Sequence, residues 1–225
     1  MREDLTEVVF ILDRSGSMSG LEGDTIGGFN SMLAKQKQED GEAYISTILF
    51  DNVQEVLHDR VPVKDVQPMT EEQYYVRGGT ALLDAIGSAI RHIANIHKYA
   101  REEDVPAKTL FIITTDGMEN ASCNYSYDEI KRMVEKEKAK YGWEFLFLGA
   151  NIDAIEVAGR FGISSNRAAN YNCDSQGVQT QYEVLSNTMS FFRRVPRCRA
   201  AVDSVIEDLL EPIREDYNNR KQSRR

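Results

Sequence analysis

The chain has 225 residues, of which 41% are apolar, and it carries a formal net charge of −9. This length suits one domain with a sizeable core and at most a small appendage. The acidic balance disfavours non-specific binding to nucleic acid. No apolar stretch is long enough to span a bilayer. The first residues, MREDLTE, lack the apolar core of a signal peptide. We therefore expect no membrane partner and a cytoplasmic location.

The strands and helices predicted by the sequence alternate along the chain. Continuous apolar runs mark buried strands, and apolar residues at helical spacing mark helices. Segment 53–61 alternates loosely after Asp51 and Asn52, which predicts a hairpin and an antiparallel strand at the sheet edge. The predicted order is strand 6–12, helix 21–38, strand 43–51, strand 53–61, loop 62–79, helix 81–100, strand 109–116, helix 126–140, strand 144–150, helix 153–161, strand 167–171, helix 176–194 and helix 199–217.

This alternation predicts an α/β fold built on a parallel sheet. Gly27 and Gly28 weaken the first helix, so we expect them to pack closely against the sheet. Phe191 and Phe192 are expected in the core. The basic end of the chain, RKQSRR, is expected to be a frayed, solvated tail.

The most informative segment is residues 8–18, VVFILDRSGSM. Its apolar run ends at Asp13, and Ser15 and Ser17 follow at intervals of two residues. A carboxylate and two hydroxyls therefore lie on a tight loop where a buried strand ends. These hard oxygen ligands suit Mg²⁺, Mn²⁺ or Ca²⁺. Ligands of open α/β sheets bind beyond the carboxyl ends of the strands.

Two further motifs lie at comparable positions: GGT ends at Thr80 before a helix, and TTDG places Asp116 after a buried strand. Each motif has another explanation. Asp13 is suited to capping amides in a turn, Thr80 to capping a helix, and Asp116 to a turn before Gly117. Their joint order and strand context favour one metal site with two carboxylates and three hydroxyls.

The combination of DRSGSM, GGT and ITTDG resembles the von Willebrand factor A (VWA) domain and its metal-ion-dependent adhesion site (MIDAS). The resemblance covers about residues 5–195 and is closest to stand-alone bacterial VWA proteins. We expect a VWA domain at 1–195 and a C-terminal helix with a basic tail at 196–225. The resemblance implies a Rossmann-like open sheet of six strands, mostly parallel with one antiparallel edge strand, and helices on both faces. The metal ligands that it implies are Asp13, Ser15, Ser17, Thr80 and Asp116.

The function implied by the resemblance is protein binding, in which an Asp or Glu of a partner completes the shell of the metal. Cellular abundance favours Mg²⁺ over Mn²⁺ or Ca²⁺. Because bacterial VWA proteins act with ATPases, in stress resistance or in adhesion, an ATPase complex is one expected partner.

Cysteine and histidine spacing predicts no metal site. Cys123, Cys173 and Cys198 form no CxxC pair and are expected to be ordinary reduced thiols. His92 and His97 are five residues apart on a predicted helix and do not share a face.

Enzyme motifs are missing from the sequence. Dehalogenase-type phosphoryl transfer requires a second Asp where this chain has Ser15. The run GSMSG has Met18 where a hydrolase has its nucleophile, and no GxxxxGK[ST] loop occurs. We expect no enzyme, and a metal-assisted hydrolase or phosphoryl-transfer enzyme stays as the alternative. Tyr74 and Tyr75, before GGT, are expected to pack in their loop, with a partner pocket as the other interpretation.

Overall fold

A six-stranded sheet forms the centre of the protein. The structure is a computed structural model that describes residues 1–195 and 199–223. The side chains of 199–204 and 222–223 are not described. The strand order is β3-β2-β1-β4-β5-β6. Every neighbouring pair is parallel except β2 and β3. The strands are β1 (Arg2–Asp13), β2 (Glu42–Phe50), β3 (Gln54–Pro62), β4 (Pro106–Thr115), β5 (Glu144–Gly149) and β6 (Ala168–Asn170).

In the part of the chain that the structure describes, six α-helices cover the two faces of this sheet. They are α1 (Glu22–Gln36), α2 (Leu82–Tyr99), α3 (Tyr127–Tyr141), α4 (Ala154–Arg160), α5 (Ser175–Arg194) and α6 (Arg199–Ser223). One apolar cluster lies between the sheet and helices α1, α5 and α6, and the other lies between the sheet and α2, α3 and α4. The predicted α/β class and the antiparallel edge strand are confirmed. No helix in the described residues is both long and apolar enough for a bilayer crossing.

The central strands β1 and β4 place the ends of two motifs next to each other. Val8 pairs with Leu110, and Leu12 pairs with Thr114. All ten residues of β4 are buried, as its continuous apolar run predicts. The strands differ from expectation at their first residues, since β1 begins at Arg2 and β4 at Pro106. Asp13 therefore ends one strand beside the strand that leads into Asp116.

The two glycines of α1 have different surroundings, and neither packs on the sheet. An ideal Cβ at Gly28 would lie 2.3 Å from Cδ2 of Tyr182 on α5. At Gly27, an ideal Cβ would meet no atom within 4 Å. The expectation of close packing against the sheet is thus wrong: Gly28 lets two helices approach each other, and Gly27 faces open space.

Helix α6 packs against the rest of the protein. Its apolar side chains Ile206, Leu210 and Ile213 are buried in the cluster that also contains α1 and α5. At its end, Arg220 pairs with Asp174 at 2.8 Å and with Asp216 at 2.8 Å. The expected frayed tail is therefore wrong for the first residues of RKQSRR, because Arg220 and Lys221 belong to the helix. Residues 224–225 lie outside the described part.

The hairpin strand β3 is irregular. Its pairing with β2 shifts register twice, between Ile45 and Thr47 and between Thr47 and Ile48. Arg60 lies within this strand at a φ of 50°. Its guanidinium bonds with Nε to both carboxylate oxygens of the fully buried Glu7 at 2.9 Å. The irregular backbone thus accompanies a side chain that neutralises a buried charge on β1.

Candidate metal centre

The three sequence motifs meet at the carboxyl edge of the sheet. The loop after β1 carries Ser15 and Ser17, the loop before α2 carries Thr80, and the loop after β4 carries Asp116. Backbone hydrogen bonds join the first two loops, since the N–H of Gly16 donates to the carbonyl of Gly78 at 3.2 Å. Parallel strands bring such loops together because their carboxyl ends share one edge.

The carboxylate of Asp13 is held by its own loop and by the neighbouring strand. The N–H of Ser15 donates to Oδ1 at 2.7 Å, and the hydroxyl of Thr115 donates to Oδ2 at 2.6 Å. Asp13 is buried. Burial raises the pKa of this carboxyl to about 6, although hydrogen bonds from Ser15 and Thr115 act in the opposite direction and the charge of Asp116 adds to the rise.

A chain of hydroxyls links the first loop to Asp116. The hydroxyls of Ser15 and Ser17 are 3.0 Å apart, and the hydroxyl of Ser17 donates to Oδ1 of Asp116. The other oxygen of Asp116 accepts from Sγ of Cys173 at 3.6 Å. Burial raises the pKa of Asp116, and the hydrogen bonds from Ser17 and Cys173 reduce that rise.

Thr80 lies beside this chain of hydroxyls. An ideal Cβ on Gly117 would be 3.2 Å from Oγ of Ser17 and 3.5 Å from Oγ1 of Thr80, so both hydroxyls border Gly117. The backbone of Thr80 is fixed by a reciprocal pair of bonds with Asn120. Its N–H donates to Oδ1 of Asn120 at 2.9 Å, and its carbonyl accepts from the N–H of Asn120 at 3.1 Å. All five predicted residues are thus brought to one place.

The alternative role of Thr80, as the cap that opens a helix, is wrong. Helix α2 begins at Leu82, and the residue at its N-cap is Ala81, which has no side-chain cap. Instead, the carboxylate of Glu119 accepts from the N–H of Leu83 at 2.9 Å. The first turn of α2 is therefore satisfied from the third loop, which leaves the hydroxyl of Thr80 free of that role.

The adjacent residues Tyr74 and Tyr75 have opposite environments. Tyr74 is buried, and its hydroxyl donates to the carbonyl of Asp13 at 2.6 Å. Tyr75 is 42% exposed. Loop packing is therefore the role of Tyr74, which supports the residue that ends β1. Of these two tyrosines, only Tyr75 is exposed enough to contact a partner.

An ion-pair network lies on the other side of the first loop. The fully buried Arg14 donates with Nε to Oδ2 of Asp51 at 2.9 Å, and Arg77 donates to the same oxygen at 2.8 Å. Burial opposes the ionisation of Asp51, but hydrogen bonds from Arg77, from the N–H of Val53 and from Arg14 outweigh it and keep the pKa of Asp51 below its usual value. The network joins both loops to the end of β2.

The donor set fits a hard divalent cation. Two buried carboxylates whose pKa values are raised by burial require a neighbouring positive charge when both are ionised. Hydroxyl groups complete the oxygen set, as Mg²⁺ and Ca²⁺ prefer. Within the described residues, no three His, Cys, Asp or Glu side chains are grouped as metal ligands. Metal binding here would therefore depend on the serine and threonine hydroxyls as well as on the two carboxylates.

Three contacts at this site were not predicted from the sequence. Thr115 looks like one more residue of a buried strand, Cys173 is 57 residues away from Asp116, and Glu119 is 36 residues away from Leu83. The one sequence feature that could have indicated any of these contacts is the pair of threonines in TTDG, the second of which is Thr115. Of the other two cysteines, Cys123 is exposed, and Cys198 lies outside the described residues.

Comparison of this chain with known proteins identifies its fold. No protein family and no curated protein matches the chain. The vWF domain of the type V pili tip protein Mfa5 from Porphyromonas gingivalis aligns with a TM-score of 0.60 and 10% identity, over 87% of this chain and 98% of that one.

Two longer proteins match over part of their length. The minor pilin PilB from Streptococcus sanguinis aligns with a TM-score of 0.59 and 11% identity, over 85% of this chain and 63% of that one. Proximal thread matrix protein 1 from the mussel byssus, in a structure with a zinc-occupied MIDAS motif, aligns with a TM-score of 0.53 and 16% identity, over 82% and 46%. This chain thus spans less than two thirds of either. At such low identities the likeness concerns the fold, and the chain has the von Willebrand factor A fold.

Proposed function

We propose that this chain is a divalent-metal-dependent protein-binding module. Its metal ligands are Asp13, Ser15, Ser17, Thr80 and Asp116, and its ligand is an Asp or Glu side chain of a partner protein. A bound cation would supply one open coordination position for that carboxylate. The two carboxylates and three hydroxyls suit a hard divalent cation, and Mg²⁺ is the one we propose because of its cellular abundance.

The observation that carries this proposal is the convergence of three loops on one chain of oxygen atoms. Asp13 ends β1, and Asp116 follows the adjacent strand β4. The backbone N–H of Ser15 donates to Asp13, and the hydroxyls of Ser15 and Ser17 lead from that residue to Asp116. Both carboxylates are buried, so their repulsion is weakly screened in the absence of a cation. Of the five proposed ligands, Ser17 alone is exposed, so a partner would reach the site beside this residue.

The open coordination position, rather than the formal charge, favours a carboxylate as the incoming group. The two protein carboxylates balance one divalent cation formally, while hydroxyl ligands contribute no charge. A water would otherwise occupy the open position, because Mg²⁺ usually keeps several waters. A partner carboxylate that replaces this water gains Coulomb attraction, and more so where the interface excludes solvent. The net charge of −9 opposes this attraction only at long range.

The first experiment measures thermal unfolding with Mg²⁺ and with EDTA. Wild type should gain about 2.7 kcal/mol when free Mg²⁺ is about 100 times its dissociation constant, and Asp13→Ala should gain far less. Asp65→Ala is the matched control, because Asp65 is an exposed acidic residue in the loop after β3. If Asp13→Ala gained as much as wild type at every Mg²⁺ concentration, Asp13 would not be a ligand.

The second experiment is a pull-down from cell extract with Mg²⁺ and with EDTA. We expect a partner that is retained only with metal, and that loses affinity when its contacting Asp or Glu is changed to Asn or Gln. Retention that EDTA does not affect, or affinity that no such change reduces, would refute the mechanism.

We propose no catalytic role for this site. The three histidines, which would be the usual general bases, are bonded elsewhere: His58 to Thr47, His92 to Asp59 and His97 to Glu7. Turnover of a phosphate ester or peptide in Mg²⁺, without any partner binding, would favour the metal-assisted hydrolase instead.

A further inference from the structure

Several exposed apolar side chains lie at the edge that carries the candidate metal centre. Of the seven large hydrophobic side chains that are exposed among the described residues, four follow the carboxyl ends of strands or lie in the loop before α2, namely Val53, Tyr75, Met118 and Ile155. Single exposed apolar residues are ordinary, but several around one polar site indicate an interaction surface.

Three of these residues lie near the proposed ligands, along the chain or through a contact of a neighbouring residue. Met118 is 68% exposed and lies two residues after Asp116. Val53 is 56% exposed, at the turn where Asn52 accepts a hydrogen bond at 2.7 Å from the N–H of Gly79, next to Thr80. We call Val53, Tyr75 and Met118 the apolar rim.

Tyr75 is held in place although it is exposed. The guanidinium carbons of Arg14 and Arg77 each lie 5.2 Å from the centre of its ring. Its hydroxyl also accepts a hydrogen bond from Arg77 at 3.1 Å. A fixed aromatic ring loses little conformational entropy on binding, which is typical of residues that contribute most to interface affinity.

The charges around the rim disfavour a strongly acidic partner. Arg14 and Arg77 are already paired with Asp51, and Arg14 also pairs with Glu55. Exposed Glu71 and Glu72 lie in the loop that contains Tyr75, and the whole chain carries a charge of −9. A run of carboxylates would meet this repulsion, whereas a single carboxylate at the metal would not bring additional negative charges with it.

From these observations we propose that the apolar rim selects a partner surface in which one Asp or Glu is surrounded by apolar or aromatic side chains. This inference rests on the proposed function, and it adds the chemistry of the residues beside the bound carboxylate. The metal provides the attraction for the carboxylate, and Tyr75, Met118 and Val53 bury the neighbouring apolar side chains.

The test uses a phage library of disulfide-cyclised peptides with a fixed central Asp and random flanks. Phage are captured on the protein in Mg²⁺ and eluted with EDTA. We expect enrichment of apolar and aromatic flanks, and binding of an enriched peptide should weaken about fivefold or more in Tyr75→Ala and in Met118→Ala. Tyr99→Ala is the control, because Tyr99 is 78% exposed at the end of α2 on the opposite edge, and it should leave binding unchanged.

The outcomes separate this inference from the proposed function. The apolar rim would be overturned, with metal-dependent binding left intact, if the EDTA-eluted peptides had acidic flanks or no flank preference. The same holds if an enriched peptide bound Tyr75→Ala and Met118→Ala as tightly as wild type. Failure of EDTA to elute any enriched peptide, or equal binding after the central Asp is changed to Asn, would contradict the proposed function itself.

Discussion

Removal of one hydroxyl from Tyr74 should weaken both the fold and the candidate metal centre. In Tyr74→Phe the buried carbonyl of Asp13 loses a donor at 2.6 Å. A buried polar group left without its partner costs about 1–3 kcal/mol. With about 2 kcal/mol as the middle of that range, and about 2–4 °C per kcal/mol for a domain of this size, Tm should fall by about 4–8 °C. Because this carbonyl belongs to a proposed ligand, the Mg²⁺ concentration that gives half of the thermal stabilisation should also rise.

Tyr75→Phe is the matched control for this change. It removes the same group from the next residue, but Tyr75 is 42% exposed, and among the described residues its hydroxyl bonds only the Arg77 side chain, at 3.1 Å. We expect a change of less than about 0.5 kcal/mol in its free energy of unfolding. Urea unfolding followed by Trp143 fluorescence gives both free energies. Equal stability of the two variants, in EDTA and in Mg²⁺, would show that the bond to Asp13 does not support the first loop.

Further predictions concern single residues described above. Gly28→Ala should destabilise the protein by about 1–3 kcal/mol, because its Cβ would meet Tyr182 at 2.3 Å, whereas Gly27→Ala should stabilise it by about 0.5–1 kcal/mol; urea unfolding that ranks them the other way would contradict the α1–α5 contact. Thr80 caps no helix but is buried, so Thr80→Ala should lower the metal-free free energy of unfolding by about 1 kcal/mol through its lost methyl group, and it should reduce the Mg²⁺-induced rise in Tm. Gly117→Ala should also reduce that rise, because a methyl group would lie 3.2 Å from the Ser17 hydroxyl, and an unchanged Mg²⁺ titration would exclude a cation beside Gly117.

The sheet could be predicted from the sequence because strands that are buried on both faces require continuous apolar runs. The runs that end at Asp13 and at Thr115 belong to the two central strands, which are buried along almost their whole length. The edge strand was predictable for a different reason, since the short Asp51-Asn52 turn allows only an antiparallel return. The places where the ligand-bearing loops begin followed from these strands.

Contacts between distant segments could not be predicted in the same way. The N-terminus of α2 is satisfied by Glu119 from another loop, so the local rule that assigns a cap to Thr80 fails. Tyr74 and Tyr75 lie in a loop without periodicity, and nothing in the sequence distinguishes the buried ring from the exposed one. The packing of Gly28 against Tyr182 depends on how α5 crosses α1, which is a tertiary property.

The irregularity of β3 has a consequence for self-association. An outer strand normally presents unpaired backbone groups that another chain can extend into a larger sheet. Here the register shifts at Thr47, the left-handed backbone of Arg60, the charged residue Asp59 and the final Pro62 interrupt such a template. The opposite outer strand, β6, has only three residues and lies against α4 and α6. Neither side of the sheet offers a long regular strand, so this protein should resist strand-by-strand aggregation even at high concentration.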